Sequence, residues 1–210
     1  MNTNRSLIRR GAAVAAAGTA ALVLAACGSS GDSSAGHDGH TSQSPTAPAS
    51  AQAAQGQRNT ADVAFAKGMI PHHRQAVEMA DLAPARAESA EVKKLADEIK
   101  KAQDPEIKTL SGWLTSWGEP VPTEGAMDHS AHGTAGMMTA EELDKLKSSS
   151  GRAFDTAFMK LMIEHHEGAV AMAKAEKAEG AFPEAKAMAD AIITSQTAEI
   201  ARMRGLLGEN

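Results

Sequence analysis

All eight histidines of this chain fall in four close pairs: His37/His40, His72/His73, His129/His132 and His165/His166. Two of the pairs are adjacent residues, each preceded by a methionine (Met69, Met162) and followed by another (Met79, Met172) at the same distance. A third pair lies in a glycine-rich stretch, residues 127–138, that also holds Met127, Asp128, Met137 and Met138. Imidazole nitrogen and thioether sulfur together suit a borderline-to-soft transition metal, with copper as Cu(I) or Cu(II) first and other transition metals also open. Their spacing therefore points to metal chemistry, and the question becomes which elements hold these side chains.

The adjacent pairs sit in two copies of one motif, DVAFAKGMIPHHRQAVEMA at 62–80 and DTAFMKLMIEHHEGAVAMA at 155–173. The likeness continues without a gap, and 23 of the 53 positions in 62–114 are identical to those in 155–207, at a constant spacing of 93 residues. A duplication of this length predicts two copies of one supersecondary unit. Helical periodicity and the punctuation by Gly180 and Pro183 predict helices over 61–82, 90–117, 152–179 and 183–207. Thr139 and Glu142 read as a capping box opening a short helix to Lys147. Pro105 falls inside the second helix, where it removes a hydrogen bond and predicts a kink; the second copy has Ala198 there. No sustained strand alternation is visible. The fold class predicted is all-α, a four-helix bundle made of two repeated helical hairpins.

On a helical wheel nearly every residue shared by the copies lies on one face about 120° wide, Lys67 being the one that points away, and the two histidines straddle its centre. On the second helix of each hairpin, Gln103 and Gln196 point inward among apolar residues, with Glu106 and Glu199 at the edge of that face. A buried amide or carboxylate needs a partner. The histidines can supply one, either by direct hydrogen bonds or by sharing a metal. Two readings remain open at this point: ligands in the bundle (His72, His73, His165, His166, Met69, Met79, Met162, Met172), or a metal-free polar network with the methionines as core. The segment 127–138 is too polar and glycine-rich to be core. Met127, Asp128, His129, His132, Met137 and Met138 are accordingly expected to act as a flexible chelate. His37 and His40 form a weaker version of the same arrangement.

The N-terminal 27 residues resemble an export signal. Arg5, Arg9 and Arg10 precede a short apolar run that ends in Leu24-Ala25-Ala26-Cys27-Gly28. That ending resembles a lipobox, which implies lipid on Cys27. Arg9-Arg10 leaves a twin-arginine route open beside the general one. Residues 28–59 are rich in Ser, Gly, Ala, Gln and Pro, and are expected to be a flexible tether. The predicted domain is 60–210, with 118–138 as the His/Met-rich connection between repeats. Without the signal, 18 basic and 26 acidic side chains remain, a formal charge of −8. That balance argues against nucleic acid and fits the gathering of cations.

The doubled Met-Ile-x-His-His, at Met69–His73 and Met162–His166, together with Gln-x-x-Glu-Ile at 103–107 and 196–200, resembles the family described as domain of unknown function 305. The resemblance spans about 60–207. It implies an exported ferritin-like helical bundle, and, because some members are associated with copper, a copper-binding role. The di-iron pattern of other ferritin-like proteins is missing, since Glu-x-x-His does not occur in the four helices. The reading that follows is a lipid-anchored metal-binding protein of the cell envelope, outside the cytoplasmic membrane, that buffers, sequesters or hands on copper. A metal-exchange partner or a homo-oligomer is compatible with it. The alternatives are a metal-dependent oxidase of cuproxidase type and a metal-free helical interaction module.

Overall fold

Asn59 ends the extended chain and caps the first helix in a reciprocal box. Its side chain accepts from the amides of Ala61 and Asp62, while the Asp62 carboxylate accepts from the Asn59 amide. From there the computed structural model, which describes residues 57–123 and 136–209, is helical throughout its regular structure. The helices are α1 (Thr60–Arg86), α2 (Ala90–Ser116), α3 (Ala140–Ser148), α4 (Gly151–Glu179) and α5 (Pro183–Leu207). The predicted capping box of Thr139 with Glu142 opens α3, and Pro183 opens α5. Helix α1 continues four residues beyond its predicted end, through Pro84, and both it and α2 tolerate internal prolines. None of these helices is long and apolar enough to cross a membrane.

The two hairpins, α1–α2 and α4–α5, meet mainly along α1 and α4. Across the other side Arg202 of α5 bridges Glu91 and Glu98 of α2 at 3.1 and 2.5 Å. The corners show how the halves are related. Asp62, at the start of α1, accepts from the amides of Ala181 and Phe182 beyond the end of α4, at 3.1 and 2.9 Å. Asp155, in the first turns of α4, accepts from the amides of Glu88 and Ser89 beyond the end of α1, at 3.1 and 2.8 Å. Each aspartate thus holds the turn of the opposite hairpin, at positions separated by the same 93 residues. This reciprocity means that α1 and α4 run antiparallel about a pseudo-two-fold axis.

The apolar interior divides into two clusters. One takes Ala76 to Ala87 of α1, Val92 to Ile99 of α2, Phe154 to Ile163 of α4, and Ile200 and Met203 of α5. The other takes Phe65 to Ile70, Leu110 to Trp117, Ala169 and Ala173, and Ala185 to Ile192. On all four long helices the break between clusters falls at the histidines or at the Gln-x-x-Glu element. A polar layer therefore crosses the middle of an otherwise apolar interior, on the pseudo-axis.

Candidate metal centre

The helix face that buries Met69 and Ala76 also buries His72 and His73, and its copy on α4 buries His165 and His166; all four imidazoles are 0% exposed. His72 and His165 meet at the axis, their ring centroids 3.7 Å apart and their planes inclined by 40°. His73 and His166 turn the other way, toward the second helix of their own hairpin. His73 Nε2 lies 2.7 Å from Glu106 Oε2, and His166 Nε2 lies 2.6 Å from Glu199 Oε2. Here the wheel placed the carboxylates well: a residue at the edge of the buried face can reach an imidazole and still touch solvent.

Each Glu–His pair has a chemical consequence. An ionised carboxylate only accepts, so the facing Nε2 must carry the proton, and a neutral imidazole then presents Nδ1 as a lone pair. Nδ1 of His73 and Nδ1 of His166 are buried and have no hydrogen-bond partner among the described residues. A metal-ligating histidine is typically held this way, its far nitrogen tied to a carboxylate. His165 has neither ring nitrogen in a well-formed hydrogen bond. Burial, followed by the neighbouring His72, His166 and His73, drives its pKa well below the usual histidine range, against a weak upward pull from the His72 backbone. It is held neutral, which is the ligating form. The Oε1 atoms of Gln103 and Gln196, buried in the same layer, also lack partners among the described residues. Unsatisfied buried polar atoms are costly, and their clustering in one layer calls for a common cause.

The donor types, imidazole nitrogen and thioether sulfur, fit a soft or borderline ion. Among the described residues, however, no three His, Cys, Asp or Glu side chains converge as a ready cluster. Any metal site here would have to draw on two imidazoles at a time, or on thioethers. Met69 and Met162 are wholly buried one turn before the histidines. Met79 lies deeper in an apolar cluster. Met172 is partly buried, its sulfur 3.5 Å from where a Cβ on Gly68 would stand.

The segment 127–138 needs one correction. Met138 is core, 5% exposed and packed with Met79, Met162 and Leu146. The expectation that no core residue lies in the segment fails because its last residues turn inward to lead into α3. Met137 is half-buried beside it. Met127, Asp128, His129, His132, His37, His40 and Cys27 lie outside the described residues. Two other functional placements were missed from sequence, Gln75 and Glu176, both buried polar residues of the histidine helices. The only available signal was that each breaks the repeat, standing opposite Gly168 and Ala83.

Paired histidines set in a polar layer across an all-helical interior define the class of protein. The chain belongs to the family described as a domain of unknown function (DUF305), which matches residues 62–207. A family member from Streptomyces coelicolor is similar over 71% of this chain and 93% of its own, at 36% identity and a TM-score of 0.64. A family fragment from Deinococcus radiodurans matches at 30% identity, over 73% of this chain and 99% of its own, with a TM-score of 0.64. The protein CopM in its Cu(II)-bound form is 40% identical, over 69% of this chain and 94% of its own, with a TM-score of 0.60. CopM has also been solved in Cu(I)-bound and Ag-bound forms. Among curated proteins, none matches.

Proposed function

We propose that this protein binds copper in its histidine layer, and that it stores or passes on the ion without turning over a substrate. The observation that supports this most strongly is a pair of buried imidazole nitrogens, Nδ1 of His73 and Nδ1 of His166, that find no hydrogen-bond partner among the described residues. A structural polar network would satisfy these atoms. The likeness to CopM, solved with Cu(I), Cu(II) and Ag, supports copper over harder metals. Neutral imidazoles and nearby thioethers suit Cu(I), for which Ag(I) is a redox-inert stand-in. Held by lipid on Cys27, the domain would face outward from the cytoplasmic membrane, where it meets incoming copper first.

The test is anaerobic titration of the chain with Cu(I), and with Ag(I), in a background where His37, His40, His129 and His132 are alanine. In that background His73→Gln/His166→Gln should keep the helical fold and lose affinity by at least about tenfold, because the amide replaces the better nitrogen donor. Unchanged affinity would move metal binding out of the bundle and leave the polar network as its explanation.

A further inference from the structure

Residues 136–138 lie against both α4 and α1. Gly136 adopts φ 78°, and a Cβ placed on it would stand 2.5 Å from the carbonyl oxygen of Glu164, 3.0 Å from Gly168 Cα and 3.1 Å from Gly168 N. Backbone here rests directly on backbone. Two residues on, the Gln75 amide grips Met138 from both sides: Nε2 donates to the Met138 carbonyl at 2.9 Å, and the Met138 amide donates to Oε1 at 2.7 Å. The Met138 side chain then anchors in the core.

The two anchors bracket the histidine pair. Gln75 is three residues beyond His72 on α1, and Gly168 is three residues beyond His165 on α4. Since α1 and α4 are antiparallel, these positions lie on opposite sides of the His72–His165 contact, each about 4.5 Å along its helix. The stretch joining the anchors, with Met137 between them, links α4 to α1 at the level of the pair. Positions 75 and 168 are also equivalents in the duplication. One carries the amide that grips the strap, and the other carries no side chain and so leaves room for it.

We propose that residues 136–138 form a strap that gates access to His72 and His165, with Gln75 as its latch. Copper as the ion that passes this gate rests on the function proposed above; the gating itself does not. A three-residue strap held by one amide pair and one side chain can open locally while the four long helices stay folded. Metal exchange then proceeds at the rate of strap opening.

The experiment uses the full chain and two variants, Gln75→Leu and Gly136→Ala, with circular dichroism to show that the helices persist. The first removes the latch; the second forces the strap off α4. Carbethoxylation by diethyl pyrocarbonate, mapped by fragment-ion mass spectrometry, reads access without any metal. Losing two buried hydrogen bonds should speed reaction at His72 and His165 about tenfold or more, with a smaller rise at His73 and His166. Release of Cu(I) to bathocuproine disulfonate should accelerate by a similar factor, with Kd changing much less. If both folded variants keep wild-type histidine reactivity, the strap is no gate and the proposal falls. If reactivity rises but Cu(I) neither binds nor protects the rings, the strap stands and the copper reading fails.

Discussion

Asp62 and Asp155 occupy equivalent positions in the two halves and do the same work, whereas Gln75 and Gly168 occupy equivalent positions and do opposite work. The difference follows from what each pair touches. Asp62 and Asp155 bind turns that are themselves equivalents, so one residue type serves both. His72 touches its own equivalent, and the His73–Glu106 bond is repeated as His166–Glu199. Gln75 and Gly168 both meet residues 136–138, which occur once in the chain, and a single segment cannot make the same contact with both halves. In this pseudo-symmetric fold the repeated residues make contacts that both halves share, and the break at positions 75 and 168 marks a segment present once.

The strongest way to break this comparison is to remove the corner aspartates one at a time. Asp62→Ala strips a buried acceptor from the amides of Ala181 and Phe182, and Asp155→Ala does the same to Glu88 and Ser89. Two amides left partly unsatisfied, each at charge-assisted strength, should cost about 2–4 kcal/mol in either variant. Urea unfolding at neutral pH would measure both. A loss confined to one corner would show that the halves are alike in sequence but not in energetics.

A smaller effect separates the same two corners by pH. Where the first half has Ala83, the second has Glu176, 2% exposed and facing Asp62. Burial, and after it the hydrogen-bonding reach and negative charge of Asp62, push Glu176 up to about 8, against a downward pull from Lys186. Burial also pushes Asp62 upward, but the amides of Asn59, Phe182 and Ala181, with Glu176, outweigh it and hold Asp62 low. Because the native pKa of Glu176 lies above its unfolded value, the native state keeps a proton that the unfolded chain has lost. Its contribution is whole below pH 4.5 and disappears as pH rises through about 8. Stability should therefore fall steadily between about pH 5 and about pH 9 from this group. Glu176→Gln keeps the donor and volume and should flatten that slope. A variant with the wild-type slope would place the titration elsewhere.

The sequence made the duplication, the helices and the inward histidines legible because all three depend on local period and on residue identity at fixed spacing. Glu106 and Glu199 were legible for the same reason, being three residues from an inward glutamine on one helix. Asp62 and Asp155 were visible as inward carboxylates, but their partners depend on α1 and α4 running antiparallel, which no local pattern encodes. Met138 was misjudged because its surroundings in sequence are polar; one buried side chain can end a glycine-rich segment without altering its composition. Gln75 and Glu176 carry no signal from identity between the copies, because each stands where the repeat is broken. The breaks in the repeat carried the information about the strap and the asymmetric corner.

The smallest predicted effect concerns another break, Pro105 against Ala198, which lies next to Glu106 and so borders the histidine layer. Proline within a helix removes one backbone hydrogen bond and crowds the carbonyl four residues back, here Lys101. Both Lys101 and Pro105 are exposed, so water can satisfy the freed carbonyl and the penalty is softened. Pro105→Ala restores the donor but gives the unfolded chain more freedom, which offsets part of the gain. The net expectation is stabilisation by about 1 kcal/mol. The His73–Glu106 bond should persist, since it depends on side chains that the substitution leaves in place. If Pro105→Ala instead destabilises the domain, the proline bends α2 to bring Glu106 onto His73. The two Glu–His pairs would then owe nearly equal lengths, 2.7 and 2.6 Å, to unequal helices.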